Sequence, residues 1–495
     1  MFKRVLIANR GEIALRVVRC CIEMGVESVV AYSQADKDQL YVGLATQAIC
    51  IGDAPAAESY LNQERLVSAA LATGCDALHP GYGFLSENAD FARLCADNGI
   101  VFIGPPPQVI ERMGVKAAAR ELMQRSGVPC VPGSEGTVAS AEEARQVAER
   151  IGYPVLIKAS AGGGGRGMRR VGSAGELEEL FSQARSEAIA CFGNGDLYVE
   201  KLVENPKHVE IQIFADTRGN VVYLGERDCS IQRKNQKMME ESPCTRLTPE
   251  LRQEMGEVAV RAARACGYVG AGTVEFVMDE QRRYYFIEMN TRIQVEHPVT
   301  EMVYGVDLVR EQLRVAAGLP LSWSQDELVP RGHAIECRIN AEDPLRGFMP
   351  CPGTVTKAFL PAGNGTRVDS ALYDGYQVNP YYDSLIAKVI CWAPTRLEAI
   401  RKMRRCLAET NIEGISTNVE FELFVLYHTR FLKGTYNTGF MDECAGELLE
   451  LQKQAEKIAA GDGGAPGRIA GNDGHASGRV AASDGRASGQ GRRAP

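Results

Sequence analysis

Three observations predict an α/β chain of several domains that turns α+β toward its C-terminal end. Strands and helices alternate through residues 1–113, the pattern of a parallel sheet. Further on, VLIKASAGGGGRGMRRV sets a glycine loop between two strands. The stretch Gly272 to Glu301, GTVEFVMDEQRRYYFIEMNTRIQVEHPVTE, then reads as an acid-bearing β-hairpin within a strand-rich unit.

Composition bounds what such a fold can do. With 495 residues, 45% hydrophobic and 24% charged, the chain can bury a large core, and its length corresponds to roughly three domains. A net charge of -8 argues against a nucleic-acid partner. The fifteen cysteines form no C-x-x-C pair and there are six histidines, so no His/Cys metal framework is expected; unpaired thiols suit a reducing, cytoplasmic compartment. The apolar run at the N-terminus stops at Asn9-Arg10, too soon for a signal sequence, and no stretch is long enough to span a bilayer, so no membrane partner is expected.

In chain order, Arg4 to Ala8 is a buried strand, Glu12 to Met24 has helical spacing through Ile13, Val17 and Cys21, and Val29 to Tyr32 is the next strand. A helix over Glu64 to Ala72, the strand Ala77-Leu78, a helix over Ser86 to Asn98 and the strand Val101 to Ile103 complete the first domain, residues 1–113. Ligands of such sheets collect beyond the carboxyl ends of strands. Asn9-Arg10-Gly11-Glu12 and His79-Pro80-Gly81-Tyr82-Gly83 lie there, although turn chemistry alone accounts for either. Gly104-Pro105-Pro106-Pro107 breaks the pattern. A helical connector over Gln108 to Ser126 carries Lys116 and opens the second domain, residues 114–204. Within it Ser140-x-x-Glu143 and Ser173-x-x-Glu176 read as capping boxes, with Gly152 and Pro154 ending the first helix. Strands dominate residues 205–330: His208 to Ala215, Val221 to Glu226 and the hairpin, covered by helices over Pro249 to Cys266 and Asp307 to Ala317. Residues 331–446 read as α+β, with the capping box Thr395-x-x-Glu398 opening a helix to Ala408. The remainder is 447–495; after about Gln454 it turns Gly-, Ala-, Ser- and Arg-rich, and DGHASG returns as DGRASG; too little apolar surface remains to offset ordering entropy, so a disordered tail is expected.

Gly162 to Gly167 fits G-x-G-x-x-G formally, but the loop runs into Arg169-Arg170-Val171 instead of opening a helix. Successive glycines let backbone N–H groups approach an anion, and Lys158 supplies charge. A flap over nucleotide phosphates and a plain hairpin tip beside a surface lysine both fit this loop taken alone. Glu200-Lys201-Leu202-Val203 follows as a hinge strand whose backbone can read an adenine edge, with Glu200 accepting from a ribose or amino group. His208, Gln232 and Lys237 add polar groups, although Arg227 to Lys237 can equally be a basic, solvated loop.

In the hairpin, Thr273 to Met278 and Tyr284 to Met289 are strands, and a turn near Gln281 or Arg282 puts Glu275 opposite Glu288. Glu288 and Asn290 are expected to share a face with Phe286. Two carboxylates and an amide oxygen imply Mg²⁺ or Mn²⁺ with further ligands from water and phosphates; a solvent-facing strand pair whose acids sit apart is the other reading. Metal acids, lysines and a glycine flap together point to ATP. Past the strand, Arg292, Gln294 and Glu296 recur at a spacing of two, which in extended backbone aims all three at one side. Arginine grips a small planar oxyanion, and a carboxylate beside it can serve as general base. His297-Pro298 fixes the turn, and Arg338 lies on a strand, placed to stabilise developing negative charge on a second substrate.

The strings IANRGEIA, HPGYGFLSEN, KASAGGGGRGM, ERDCSIQRKNQK, FIEMNTRIQVEHPVTE and GHAIECRINAED closely resemble the biotin carboxylases of the ATP-grasp superfamily over residues 1 to 446. The resemblance implies a Rossmann-like N-terminal domain, an ATP-grasp lid and core, and an α+β C-terminal domain. It implies ATP-dependent carboxylation of biotin with bicarbonate and two Mg²⁺ ions, most simply as the biotin carboxylase subunit of acetyl-CoA carboxylase. Pyruvate, propionyl-CoA and other acyl-CoA carboxylases use the same component. By the resemblance, Lys116 and Lys158 bind phosphates beneath a flap of Gly163, Gly164, Gly165, Arg166 and Gly167. Glu200, Lys201, Leu202, His208, Gln232 and Asn235 contact nucleotide, and Glu275, Glu288 and Asn290 hold metal. Lys237, Arg292, Gln294 and Val295 bind bicarbonate, Glu296 is the base, and Arg338 and Tyr82 meet biotin. No Met-Lys-Met biotinylation motif occurs, so biotin is expected on a separate biotin carboxyl carrier protein, with carboxyltransferase subunits as further partners and a homodimer as the assembly. Ala161, Asn235 and Val115 depart from many relatives' residues at those positions, and none of them removes a proposed catalytic group; Asn235 can still reach a ribose hydroxyl.

Overall fold

The computed structural model describes residues 1–160 and 167–461. Gly163, Gly164, Gly165 and Arg166 of the expected flap, and the tail from residue 462, lie outside the described residues. The first unit is a five-stranded parallel sheet in the order β3-β2-β1-β4-β5, formed by β1 (Arg4–Ile7), β2 (Glu27–Ser33), β3 (Gln47–Gly52), β4 (Ala77–His79) and β5 (Val101–Phe102). Its first helix, Gly11–Met24, buries Ile13, Leu15, Val17, Val18 and Cys21 and ends at Gly25, whose φ of 67° needs no Cβ. The carboxyl ends of β1 and β4 thus present Asn9, Arg10 and Tyr82 toward the rest of the molecule.

Two helices, Pro107–Gly114 and Lys116–Arg125, replace the single connector expected over Gln108 to Ser126. They break at Val115, which is extended (φ -97°, ψ 102°), and Lys116 therefore opens the second helix. The next unit is an antiparallel sheet of β6 (Val155–Ala159), β7 (Met168–Val171) and β8 (Leu197–Lys201) in the order β7-β6-β8, backed by helices Ala141–Ile151 and Leu177–Phe192. Neither capping box here is complete. Ser140 accepts from the Glu143 N–H, but Glu143 reaches the N–H of Ala139. Ser173 makes no cap bond at all; a 3-10 turn over Ala174–Glu176 precedes the helix. Thr395 and Glu398 do form the reciprocal pair.

The centre is an eight-stranded antiparallel sheet. In spatial order it runs β13 (Tyr284–Asn290), β12 (Gly270–Met278), β9 (Lys207–Ala215), β10 (Val221–Arg233), β11 (Gln236–Ser242), β14 (His333–Asn340), then strands Leu385–Ala393 and Thr366–Ser370. The sheet crosses the 330–331 boundary expected from sequence, because β14 pairs directly with β11. The basic, solvated loop considered for Arg227 to Lys237 is instead ladder: β10 continues to Arg233, and a two-residue turn at Lys234 and Asn235, both with positive φ, starts β11. Helix Pro249–Cys266, capped by Thr248 and closed by Gly267, packs Met255, Val258, Ala259 and Ala262 on Val209, Ile211, Val274 and Phe276. Each buried Met, Val, Ile or Phe side chain among these contributes about 1.5–3 kcal/mol. The opposite face of the same strands is left polar, and the cavity lies there. The last helix, Phe440–Gly461, extends past residue 447 into the stretch read as tail, held by buried Leu448 and Gln452.

Candidate functional site

A cleft of about 1880 Å³ opens between the central sheet, the three-stranded unit and the first domain. Period-two alternation along β9 turns His208, Glu210 and Gln212 to the cleft side, with His208 lining the cleft and Glu210 and Gln212 fully buried, and puts Val209, Ile211 and Ile213 in the core. Register then builds a row of charges across four strands. Glu288 faces Glu275, Glu275 faces Glu210, and Glu210 faces Arg227.

The hairpin turns at Asp279 to Arg283, with Arg282 at φ 64°, so the predicted opposition of Glu275 and Glu288 is present. Phe286, however, does not share their face. A bulge between the Glu275 and Phe276 pairs, where Glu288 and Phe286 are the successive partners, inserts Ile287 and reverses the parity. Phe286 and Met289 therefore pack in the core, while Glu288 and Asn290 line the cleft.

Glu275 is the hub. Its Oε1 accepts from Lys237 (3.1 Å), Asn290 (2.7 Å) and Gln294 (3.0 Å), and its Oε2 lies 2.8 Å from His208 Nε2. Burial pushes this carboxyl up, but Lys237 and His208 more than offset it and hold Glu275 well below the usual range. Glu288 Oε2 pairs with Lys116 (2.9 Å), and Asn290 Oδ1 accepts from Arg292 (3.1 Å). Two carboxylates and an amide oxygen, all now satisfied by exchangeable N–H donors, fit a hard divalent ion.

Beyond the strand the backbone does not stay extended. Glu296 has φ -82° and ψ 10° and immediately precedes helix His297–Tyr304, so a turn, not the spacing of two in a strand, brings the three side chains together. Glu296 is completely buried (0% exposed) beneath Lys237 (2.6 Å) and Arg338 (2.9 Å). Burial opposes its charge; Lys237, Arg338 and Arg227 hold it ionised, well below the usual range. Arg292 spans Glu87 (2.8 Å) and the side-chain oxygens of Gln294 (3.0 Å) and Asn290. His297 bonds the Gln294 carbonyl (2.8 Å), and burial lowers its pKa to about 3, so it is a neutral turn-former.

At the nucleotide end Lys158 pairs with Glu200, which also meets Arg120 (3.4 Å). Lys201 Nζ is engaged by the carbonyls of Gly152 (3.0 Å) and Tyr153 (2.8 Å). Gln232 bonds His208 Nδ1 (2.7 Å). Leu202, Asn235, Val295 and Tyr82 line the same cleft, whereas Gly167 bonds Ala159 within the β6–β7 pair. All the expected residues that the structure describes, except buried Glu296 and Gly167, meet on one cavity wall.

Comparison with known proteins agrees with this geometry. The family described as "Biotin carboxylase, N-terminal domain" matches residues 1–110, "Carbamoyl-phosphate synthase L chain, ATP binding domain" matches 115–324, and "Biotin carboxylase C-terminal domain" matches 336–443. Biotin carboxylase of Nostoc sp. is 54% identical over 442 residues, spanning 89% of this chain and 99% of that protein. The chain belongs to the biotin carboxylase family. Biotin carboxylase 1 of Bacillus subtilis is 55% identical over 443 residues, 89% of this chain and 98% of its own. Among solved structures, the biotin carboxylase domain dimer of Hydrogenobacter thermophilus 2-oxoglutarate carboxylase, in complex with MgADP and bicarbonate, superposes with a TM-score of 0.88 at 51% identity, covering 91% of this chain and 99% of that one. The Campylobacter jejuni biotin carboxylase complex gives 0.87 at 48% identity, covering 90% and 99%.

Several residues of this biotin carboxylase site escape sequence reasoning. Arg227 is fully buried and donates to Glu210, Gln212 (2.7 Å), Thr300 (3.0 Å) and Thr273 (3.0 Å). Glu210 also takes Lys237 (2.6 Å), and Glu240 holds Arg338 (2.6 Å). The polar stripe His208, Glu210, Gln212 in an otherwise apolar strand was the available signal for Glu210. Arg120, Glu87 and Glu240 carry no comparable local signal.

Proposed function

We propose that the chain catalyses ATP-dependent carboxylation of biotin on a biotin carboxyl carrier protein, with bicarbonate, as the first half-reaction of acetyl-CoA carboxylase. One observation carries the reading. Glu296 is ionised and wedged between Lys237, which belongs to the metal and phosphate side, and Arg338, which opens toward Tyr82.

In this reading Lys116 and Lys158 grip phosphates once ATP displaces their present partners Glu288 and Glu200. The Glu200–Leu202 stretch, His208, Gln232 and Asn235 surround the nucleoside. A divalent ion on Glu275, Glu288 and Asn290 supplies positive charge at the phosphates. Arg292, Lys237, Gln294 and Val295 hold bicarbonate. Because Glu296 is a weak base when flanked by two cations, those same cations must acidify the bicarbonate O–H before Glu296 takes its proton. The resulting oxyanion attacks the γ-phosphorus, giving carboxyphosphate and ADP. Carboxyphosphate decomposes to CO₂ and phosphate, the phosphate takes the ureido N–H proton, Arg338 stabilises the negative charge on the ureido oxygen, and the ureido nitrogen attacks CO₂ to form carboxybiotin.

The acceptor is chosen, in this reading, by a separate carboxyltransferase; that relatives of this chain include a 2-oxoglutarate carboxylase small subunit and a biotin carboxylase subunit of pyruvate carboxylase supports one such component serving different acceptors. We place the reaction in the cytoplasm: all fifteen cysteines are free thiols, and no helix among the described residues is long and apolar enough to cross a membrane. By analogy with the Hydrogenobacter thermophilus domain dimer, two copies associate, which a light-scattering mass checks. The functional test is incorporation of labelled bicarbonate into free biotin together with ATP cleavage. Turnover should require both bicarbonate and biotin; folded, ATP-binding protein without that dependence refutes the reading, and biotin-independent turnover assigns a different ATP-grasp ligase.

A further inference from the structure

Lys388 has no part in the chemistry above, yet three regions of the chain meet on it. It is fully buried (0% exposed) in the apolar strand Leu385–Ala393. Its Nζ donates to the Val295 carbonyl (2.9 Å) and to Glu12 Oε1 (3.0 Å), with Asp369 Oδ2 at 3.7 Å. Glu12 comes from the first helix of the N-terminal unit, Val295 from the loop after β13, and Asp369 from strand Thr366–Ser370. Glu12 Oε1 also accepts the Tyr82 hydroxyl, while its Oε2 has no partner among the described residues. Tyr82 and Val295 both line the cleft, on its biotin and bicarbonate sides in the proposed function. A lysine ammonium this deep is costly unless paired. Burial lowers its pKa, but Glu12, Glu336 and Asp369 keep it above the ordinary lysine value, and it stays charged.

We propose that Lys388 is a positioning residue which holds the Val295 carbonyl directly and the Tyr82 hydroxyl through Glu12, at one spacing, so that the biotin and bicarbonate subsites are set by a single buried side chain. The proposal rests on the biotin carboxylase reading of the site. A purely structural lysine would, when lost, loosen all three substrates and the fold together. A positioning lysine splits them, because the phosphate residues Lys116 and Lys158 make no contact with it.

The experiment measures KM for ATP, bicarbonate and free biotin, with thermal melting, in wild type, Lys388→Met, Tyr82→Phe and the double variant. Lys388→Met should raise KM for bicarbonate and biotin about tenfold, the size of a lost charged hydrogen bond, and leave KM for ATP within about twofold. In the Tyr82→Phe background the same change should add less than about twofold to the biotin KM yet keep its full effect on bicarbonate. A parallel rise for all three substrates, or an undiminished biotin effect in the double variant, overturns the proposal. Should Lys388→Met fail to fold, Glu12→Ala, which cuts the link from Lys388 to Tyr82 and leaves the Lys388–Val295 bond, must raise KM for biotin by at least about threefold while KM for ATP stays within about twofold, and the absence of that split refutes the idea equally. An inactive wild type instead sinks the biotin carboxylase reading itself, so the two failures are distinct.

Discussion

Glu296→Gln tests the proposed chemistry most directly, because the change is isosteric and removes only a charge and a proton acceptor. Two consequences can be worked out. A lost general base costs about 100- to 10,000-fold in rate, or about 2.7–5.4 kcal/mol of barrier. The stability cost is smaller than the ~3–5 kcal/mol of an orphaned buried charge, since neither cation is stranded: Lys237 keeps Glu210 and Glu275, and Arg338 keeps Glu240. The variant should therefore fold, melt within a few degrees of wild type and bind ATP with little change, because the phosphate lysines Lys116 and Lys158 pair with Glu288 and Glu200 and not with Glu296. The assay is carboxylation of free biotin, with bicarbonate-dependent ATP cleavage alongside and nucleotide titration as the binding control. Carboxylation by Glu296→Gln at a rate comparable to wild type would refute the base assignment; loss of ATP binding in step with activity would show that the residue supports the whole site.

Glu288→Gln should raise the Mg²⁺ concentration needed for half-maximal activity about tenfold or more while leaving metal-free nucleotide binding intact, and an unchanged Mg²⁺ requirement removes Glu288 from the metal site. Burial, added to by the nearby Glu296 and opposed by Arg338, pushes Glu240 up to about 7. The folded state therefore holds a proton that the unfolded chain has released, and the stability it contributes is full at low pH and lost as pH rises through about 7. Glu240→Gln should flatten that decline in denaturant titrations between about pH 5 and about pH 8, and curves of equal slope for variant and wild type disprove it. Asn235 sits at φ 63° in the β10–β11 turn, a left-handed conformation that asparagine adopts more readily than residues without a short polar side chain. Asn235→His should thus cost up to about 1 kcal/mol of stability and shift KM for ATP at most severalfold; an untouched KM shows that the position is indifferent to nucleotide.

Much of the architecture is legible in local pattern. Helix Pro249–Cys266 announces itself by Thr248, Pro249 and Gly267 at its ends, and the hairpin by two β-branched, aromatic runs about a polar turn. These signals work because capping and alternation are properties of one element. Pattern fails where a single residue changes parity or breaks an axis: the bulge at Ile287 moved Phe286 to the core, and extended Val115 split the connector helix.

By itself the sequence determined the kinds of elements, the family strings and which acids, lysines and arginines are available for chemistry. Only the tertiary structure decided their partners. Arg338 meets Glu240 across 98 positions and Glu296 across 42, and Lys388 reaches Glu12 from the far end of the chain. Such pairings depend on which strands become neighbours and in what register, and periodicity within one strand carries no information about either. The same packing turned Glu296 from an acid in a plausible row into a buried, ionised carboxylate between two cations, where desolvation makes each pairing strong and each loss costly.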